Sequence, residues 1–432
     1  MRRDTATVRP IGFQPAEISV RVNQMVVDQH AADAAFLWTQ RDHAVTAPQY
    51  SLTDLAALDE RVEANIDGLR TANDAGWETS VQSIELGPGE VFAAGLLAFD
   101  GTDAGRLARV LEAGAADPAA AGALISALGW MPPEAGAAVA KDLVQSADPE
   151  IRRLGIGGLA VHRIDPGADL ISSISSSDSR LRARTLKAIA ELGRTDLLGA
   201  VVLQLEDPDD DCRFTAAWSA ARLGAVDRNV LDSLRAFSRG AGDHSHRATD
   251  MALRCMRGPA ARAWIQELLD SESTVRLGTI GIGVVGDPAF IDRLLTLLND
   301  PPFARAAGEA FATITGLDLG YEDLDADAPE GGLEPPDDEE VAVDLDEDLQ
   351  WPAADSIAQW WMHHSDRFRP GIRYLAGEPI SEDSLRRTLV TGTQRQRHAA
   401  ALEIALRHPS QVLFETRERG DRQMRKVKQW IS

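Results

Sequence analysis

Between Ser51 and Thr71, apolar side chains recur at Leu52, Leu55, Leu58, Val62, Ile66 and Leu69, three or four residues apart, with Asp59, Glu60, Arg61 and Glu63 between them. That spacing draws a single apolar stripe along a helix and sends the charged residues toward water. Ser51 stands where a helix N-cap is expected. A comparable pattern from Asn23 to Arg41, with Met25, Val26, Val27, Ala32, Ala35, Phe36 and Trp38, predicts an earlier helix. Residues 1–89 thus read as a helical N-terminal cap.

From about Glu90 the pattern repeats. Arg152, Arg182, Arg213, Arg247, Arg276 and Arg305 follow one another at intervals of 30, 31, 34, 29 and 29 residues. Turns rich in Asp or Pro precede them, as in Asp148-Pro149-Glu150, Asp178-Ser179, Asp207-Pro208-Asp209 and Pro301-Pro302, and these supply helix starts. Gly193, Gly224, Gly258 and Gly316 lie eleven residues after an arginine and Gly286 ten, the length of three helical turns closed by a glycine cap. A second apolar run follows each glycine, for example Leu197, Leu198, Val201 and Val202, so each unit holds two helices. Asp117-Pro118 and Glu90-Val91 extend the series upstream without the arginine. About eight units between Glu90 and Gly316 are implied, and each buries its faces only by stacking on its neighbours.

The Asp-Pro turn, the early arginine, the small residues Ala216, Ala217, Ser219 and Ala220 and the closing glycine together resemble HEAT-like repeats. The resemblance implies that Asp and Arg side chains bridge neighbouring units. The short period is similar to that of phycobilin lyase subunits. The whole chain also resembles an uncharacterised family of bacterial HEAT-repeat proteins. Leu58-Asp59-Glu60-Arg61, Gly68-Leu69-Arg70, Gly89-Glu90-Val91-Phe92-Ala93-Ala94, Thr315-Gly316-Leu317-Asp318-Leu319, Trp360-Trp361 and Arg373-Tyr374-Leu375-Ala376-Gly377 carry that likeness. Members often occur beside type VI secretion genes, which implies an accessory or adaptor role. The expected fold is all-α: a right-handed α-solenoid of about eight short HEAT-like helical pairs over residues 90–319, with helical caps at both ends.

Residues 320–350 break the pattern. From Glu322 to Asp348 there are fourteen acidic residues and no Lys or Arg, which predicts a disordered acidic loop. The whole chain carries −23, so −9 remains on the rest. The loop is either a solvated spacer, a lure for a basic partner through residues such as Asp337, Asp338, Glu339 and Glu340, or a cover for the basic C-terminal part that includes Arg386, Arg387, Arg395, Arg397, Arg417 and Lys426. Trp360 and Trp361, on a helix expected from Asp355, either anchor a partner or seal the last unit of the array. Residues 351–432 read as a helical subdomain, with helices around Leu385 to Val390, Ala399 to Leu406 and Gln411 to Ile431.

The acidic balance disfavours nucleic acid and anionic lipid and points to protein partners, basic ones included. Two cysteines, Cys212 and Cys255, cannot form a disulfide framework, and no stretch is long and apolar enough to span a membrane, so a reducing, cytoplasmic setting is expected. Gly281-Ile282-Gly283-Val284-Val285-Gly286 has dinucleotide-fingerprint spacing but falls at a repeat helix end, where packing accounts for it. Asp207, Asp209, Asp210 and Asp211 suit helix capping better than calcium. Asp243-His244-Ser245-His246 reads as a polar loop in the one lengthened unit, with a metal site as the rival reading, and His363-His364 as structural. No P-loop, nucleophile elbow or zincin helix occurs. The expected function is a non-enzymatic protein-binding scaffold or adaptor without cofactor. The alternative is a lyase-like or chaperone HEAT protein acting on a cofactor-bearing partner.

Overall fold

The structure, a computed structural model, describes residues 22–240, 243–329, 344 and 346–431. Helices α1 (Gln24–Ala44), α2 (Leu52–Thr71) and α3 (Asp74–Gln82) open the chain. Ser51 caps α2 as expected, in a capping box: its hydroxyl accepts from the Asp54 N–H and the Asp54 carboxylate accepts from the Ser51 N–H.

Seven helix pairs follow: α4 (Pro88–Phe99) with α5 (Ala104–Ala116), α6 (Pro118–Trp130) with α7 (Pro133–Val144), α8 (Pro149–Val161) with α9 (Ala168–Ser173), α10 (Ser179–Glu191) with α11 (Leu198–Leu203), α12 (Asp210–Arg222) with α13 (Arg228–Ser238), α14 (Asp243–Cys255) with α15 (Gly258–Leu269), and α16 (Val275–Val285) with α17 (Ile291–Leu297). A single helix, α18 (Pro301–Thr315), completes the series. The first members pack on one another in order from α4 to α18, while each second member packs on the first helix of the next pair. The chain is therefore all-α in its bulk, built from two helical layers around one continuous apolar core.

The starts match the sequence pattern. Asp117, Asp148, Asp178 and Asp209 accept backbone N–H bonds at the heads of α6, α8, α10 and α12. Gly286 and Gly316 close α16 and α18 with φ of 70° and 75°. Gly258 does not close its helix: α14 ends at Cys255, and Gly258 is the first residue of α15. His244, Ser245 and His246 lie in the first turns of α14 instead of a loop.

The chain beyond α18 does not simply stack on the far end. It forms β1 (Asp325–Ala326), β2 (Trp351–Pro352), α19 (Ala354–His364), β3 (Tyr374–Leu375), β4 (Glu378–Pro379), α20 (Glu382–Thr391), α21 (Gln394–Arg407) and α22 (Gly420–Ile431), with β1 paired to β2 and β3 to β4, both antiparallel. This region runs back along the array to its beginning. Gln394 donates its N–H to the Tyr50 carbonyl at 2.7 Å, Arg395 donates to the Thr46 carbonyl at 2.8 Å, and α22 packs on α2.

The expected helix from Gln411 begins only at Gly420, because residues 408–419 lie against the ends of the array helices. The last carbonyls of a helix lack partners within it, and the returning chain supplies them. Leu413 N–H donates to Glu191 O, Tyr374 N–H to Gly286 O, and the N–H groups of Ala376 and Gly377 to Thr313 O and Ile314 O, at 2.8 to 3.1 Å. Gly286 is required there twice over: its φ is left-handed, and a Cβ would collide with the Tyr374 carbonyl. Gly193, with φ of 67°, meets Gln411 and Ser410 in the same way.

Candidate functional site

The face that α6, α8, α10, α12, α14, α16 and α18 turn toward the returning chain does not close completely. Between them lies a cavity of about 1360 Å³, with Ile125, Trp130, Trp218, Ile280, Leu402 and Phe414 among its apolar walls. Its charged lining comprises ten arginines and one lysine against six carboxylates. In a protein of net charge −23 the lining thus holds five more cationic than carboxylate side chains among the described residues, and Asp59, Glu267, Glu403, Asp42 and Glu63 pair from outside it with Arg41, Arg239, Arg254, Arg417 and Arg419.

Three carboxylates hold arginines in and around this lining, Glu191 and Glu415 within it and Glu403 outside it. Glu191, at the end of α10, accepts from Arg184 at 3.0 Å and stands 3.9 Å from Lys187. Burial by itself would raise its carboxyl, but Arg184, Lys187 and Arg163 outweigh that and hold it down to about 2. Glu403 on α21 receives Arg254, Arg373 and Arg407, and those guanidinium groups likewise hold it at about 2 against its burial. Glu415 pairs with Arg163 at 3.1 Å. Each of these contacts ties an array helix or its loop to the returning chain, or sits beside one that does.

Lys187 stands 3.9 Å from Glu191, beyond hydrogen-bond distance. Nearly half of its side chain, 48%, reaches cavity space, yet protein surrounds that space. Attraction to Glu191 favours its charge, while desolvation and the nearby Arg184, Arg247 and Arg417 oppose it more strongly and bring it to about 8. Glu309, also in the lining, is raised by burial, with only Arg395 at 3.8 Å to counter it.

The structure brings the six repeat arginines into register without giving them one role. Arg152 donates to the Ser146 carbonyl at 2.9 Å. Arg182 forms a two-pronged pair with Asp207, both bonds 2.8 Å, which ties its unit to the next. Arg213 donates to the Asp207 carbonyl at 2.7 Å, and Arg247 lies 5.0 Å from the Phe214 ring centre on the preceding inner helix. Arg276 reaches Asp346, its Nε at 3.2 Å, and Arg305 reaches Asp344 at 2.7 Å while covering the Trp351 ring.

Those last two contacts bear on the described end of the acidic stretch. Asp344, Asp346 and Asp348 bind Arg305, Arg276 and His43 respectively, so the end of the acidic stretch is held on the array and not on the basic C-terminal residues. The C-terminal cations pair elsewhere: Arg419 with Glu63, Arg417 with Asp42, Lys426 with Glu418. Asp337, Asp338, Glu339 and Glu340 lie outside the described residues.

Trp360 and Trp361 both meet Phe311 of α18 edge-on, at 5.9 and 6.1 Å between ring centres, and α19 packs on α17. They cover the last units of the array. His364 stacks on Trp360 at 4.2 Å, and His244 stacks on Phe214 at 4.2 Å while contacting Asp211 at 2.6 Å. Among the described residues no three His, Cys, Asp or Glu side chains converge as a metal site would require. Asp209 caps α12 and Asp207 pairs with Arg182, so neither is disposed for calcium. A smaller hollow of about 670 Å³ near α3 and α5 is lined by Arg106, which stacks over Trp77 and bonds to Asp74 at 2.5 Å.

Sequence reasoning missed the cationic cavity. Its signal was present, since Arg184, Lys187 and Trp218 sit on the arginine helices at positions not needed for the repeat, but net charge averaged it away.

No family model and no curated protein matches this chain. Among solved structures, the crystal structure of an engineered protein is similar over 89% of this chain and 99% of its own, at 15% identity and a TM-score of 0.30, a likeness that carries no argument. Among the described residues no helix is long and apolar enough to cross a membrane.

Proposed function

We propose that this chain is a non-catalytic binding scaffold: a right-handed α-solenoid of short HEAT-like helical pairs that takes hold of a protein partner through an anionic group received in its inner cavity. The observation that carries this reading is the partition of charge, an acidic chain with a cation-rich interior of about 1360 Å³. The arginines there are positioned by carboxylates and by one another, an arrangement suited to holding negative charge. The cytoplasmic setting rests on the two cysteines of the sequence, and the accessory place beside a bacterial secretion system on the family resemblance alone.

The test is purification of the tagged full chain from its host at two salt concentrations, beside Lys187→Glu and Arg247→Glu forms. A partner retained by the parent at low salt and lost from both charge-reversed forms supports the reading. Equal recovery of the same partner by all three removes the cavity from the contact. A partner would meanwhile be driven off by salt, since screening shortens the reach of these charges.

A second reading draws on the same space. Apolar walls beside cations also suit an amphipathic carboxylate such as an open-chain tetrapyrrole, the cargo of a lyase-like or chaperone protein. Visible absorbance of protein mixed with a bilin separates the two readings, because the scaffold gains no bound chromophore.

A further inference from the structure

Lysine is scarce in this chain. Lys141, Lys187, Lys426 and Lys428 are the four lysines among 44 lysine and arginine residues, and of these four Lys187 lines the cavity while the other three are exposed. The distinction is chemical. A guanidinium keeps its proton near neutrality, whereas an amine that gives its proton up is a nucleophile toward a carbonyl carbon.

The surroundings of Lys187 favour that reaction. The charged groups facing it are Arg184 and Glu191 on its own helix, Arg247 on α14 and Arg417 on the returning chain. Attraction to Glu191 favours the ammonium, but desolvation and the three guanidinium groups outweigh it and bring Lys187 to about 8. On the order of a tenth of it is therefore neutral at neutral pH, against well under a hundredth for an ordinary lysine. Glu191 stays ionised despite its burial and stands 3.9 Å from the Lys187 nitrogen. A protonated imine carries its positive charge where the ammonium carried it, so this ion pair survives the reaction.

The space admits a ring. Its volume of about 1360 Å³ exceeds that of most small-molecule pockets, and its lining includes the exposed Arg239 and Gly240 just after α13, so it reaches the molecular surface. Trp218 occupies, on α12, the place that Lys187 occupies on α10, each five residues after its repeat arginine, and the two helices pack together. Packed helices lie roughly 8–10 Å apart, and Trp218 also lines the cavity. An aromatic face thus stands one helix spacing from the amine.

We propose that Lys187 is a covalent binding site for an aromatic aldehyde, held as a protonated imine with Glu191 as its counter-ion and Trp218 against the ring. The lone pair of the neutral amine adds to the carbonyl carbon while the carbonyl π pair moves to oxygen, which takes a proton. The carbinolamine so formed expels that oxygen as water as the C=N bond forms. Lysine ammonium and aldehyde thus become protonated imine and water, with no change of oxidation state or net charge. The proposal goes beyond the scaffold reading and needs only that the cavity admit a small molecule.

Reductive labelling of the full chain tests it. Pyridoxal and propionaldehyde, each with sodium cyanoborohydride at neutral pH and equal concentration, are compared, and the modified lysines are located by peptide mass mapping. Pyridoxal should modify Lys187 at least about tenfold faster than Lys141, Lys426 or Lys428, and the preference should vanish in denaturant. Trp218→Leu should slow pyridoxal labelling of Lys187 about fivefold and leave propionaldehyde labelling unchanged. Without reductant the parent should develop the visible absorbance of a pyridoxal imine that saturates with aldehyde, and Lys187→Arg, which keeps the charge, should lose it. Labelling of Lys187 no faster than of the exposed lysines overturns the proposal, and that comparison lies within one protein and depends on no variant. Equal labelling by both aldehydes, unchanged in Trp218→Leu, overturns the assignment of an aromatic ligand. The scaffold reading fails or stands separately: a partner released by charge reversal from a protein whose Lys187 takes no aldehyde keeps that reading and removes this one.

Discussion

The backbone N–H of Gly420 donates to one carboxylate oxygen of Asp59 at 2.6 Å, joining residues 361 apart in the chain, while the other oxygen of Asp59 accepts from Arg41 at 2.9 Å. Both side chains are buried, Asp59 at 2% and Arg41 at 3% exposure, and Arg41 also donates to the Glu418 carbonyl. Among the described residues, α1, α2 and α22 are latched through this one carboxylate.

Asp59→Ala leaves Arg41 buried without its partner and the Gly420 N–H without an acceptor. Removing one member of a buried pair costs about 3–5 kcal/mol. Urea unfolding should show that loss, and amide exchange should show α22 opening before α4 to α18. A variant as stable as the parent would mean the latch contributes nothing.

Gly286→Ala places a side chain at a left-handed φ and against the Tyr374 carbonyl. A cost of about 1–3 kcal/mol is expected. Limited proteolysis should cut between Phe368 and Ser381 faster in the variant than in the parent. The same substitution at Gly199, where a Cβ meets nothing within 4 Å, serves as the control and should be close to neutral.

Glu191 and Glu403 are held at about 2, well below the ordinary value of 4.5, by the arginines around them, so the folded protein binds fewer protons than the unfolded chain at mildly acidic pH. Their stabilisation is complete above about pH 4.5 and is lost as pH falls toward 2, on the order of 3 kcal/mol for each. Lys187, brought to about 8 from 10.5, acts in the alkaline range: stability rises between those values because the folded protein has released a proton that the unfolded chain still holds. Melting temperature followed from pH 2 to 6 checks the first effect, and Glu403→Gln should flatten the acid limb.

Cys212 and Cys255 should be inert. Burial pushes both thiols up to about 12, so little thiolate forms near neutrality. Labelling by a disulfide reagent should be on the order of a hundredfold slower in the native protein than in denaturant. Rapid reaction of either thiol in the folded chain would show that its helix opens readily.

The local rules of helix formation were legible in the order of residues. Ser51 as a cap, the Asp-Pro starts, the pairing of helices and the period of about 30 residues all depend on neighbours a few positions apart, and backbone geometry acts at that range. Glycine at the helix ends was legible in its conformation, but not in its second use as the surface that the returning chain touches. Contacts between residues hundreds of positions apart are decided elsewhere. Asp59 faced water by its place in the helical pattern, yet Gly420 and Arg41 bury it. Residues 411–419 read as helix, yet the Glu191 carbonyl takes the N–H of Leu413 and the guanidinium of Arg222 takes the carbonyls of Pro409 and Gln411, and the segment stays out of helix. The interior charge was likewise invisible, because summing charges along a chain says nothing of which side of a helix they face. Periodicity determined the stack of helices; only the path of the chain after α18 decided that the stack encloses a cationic space.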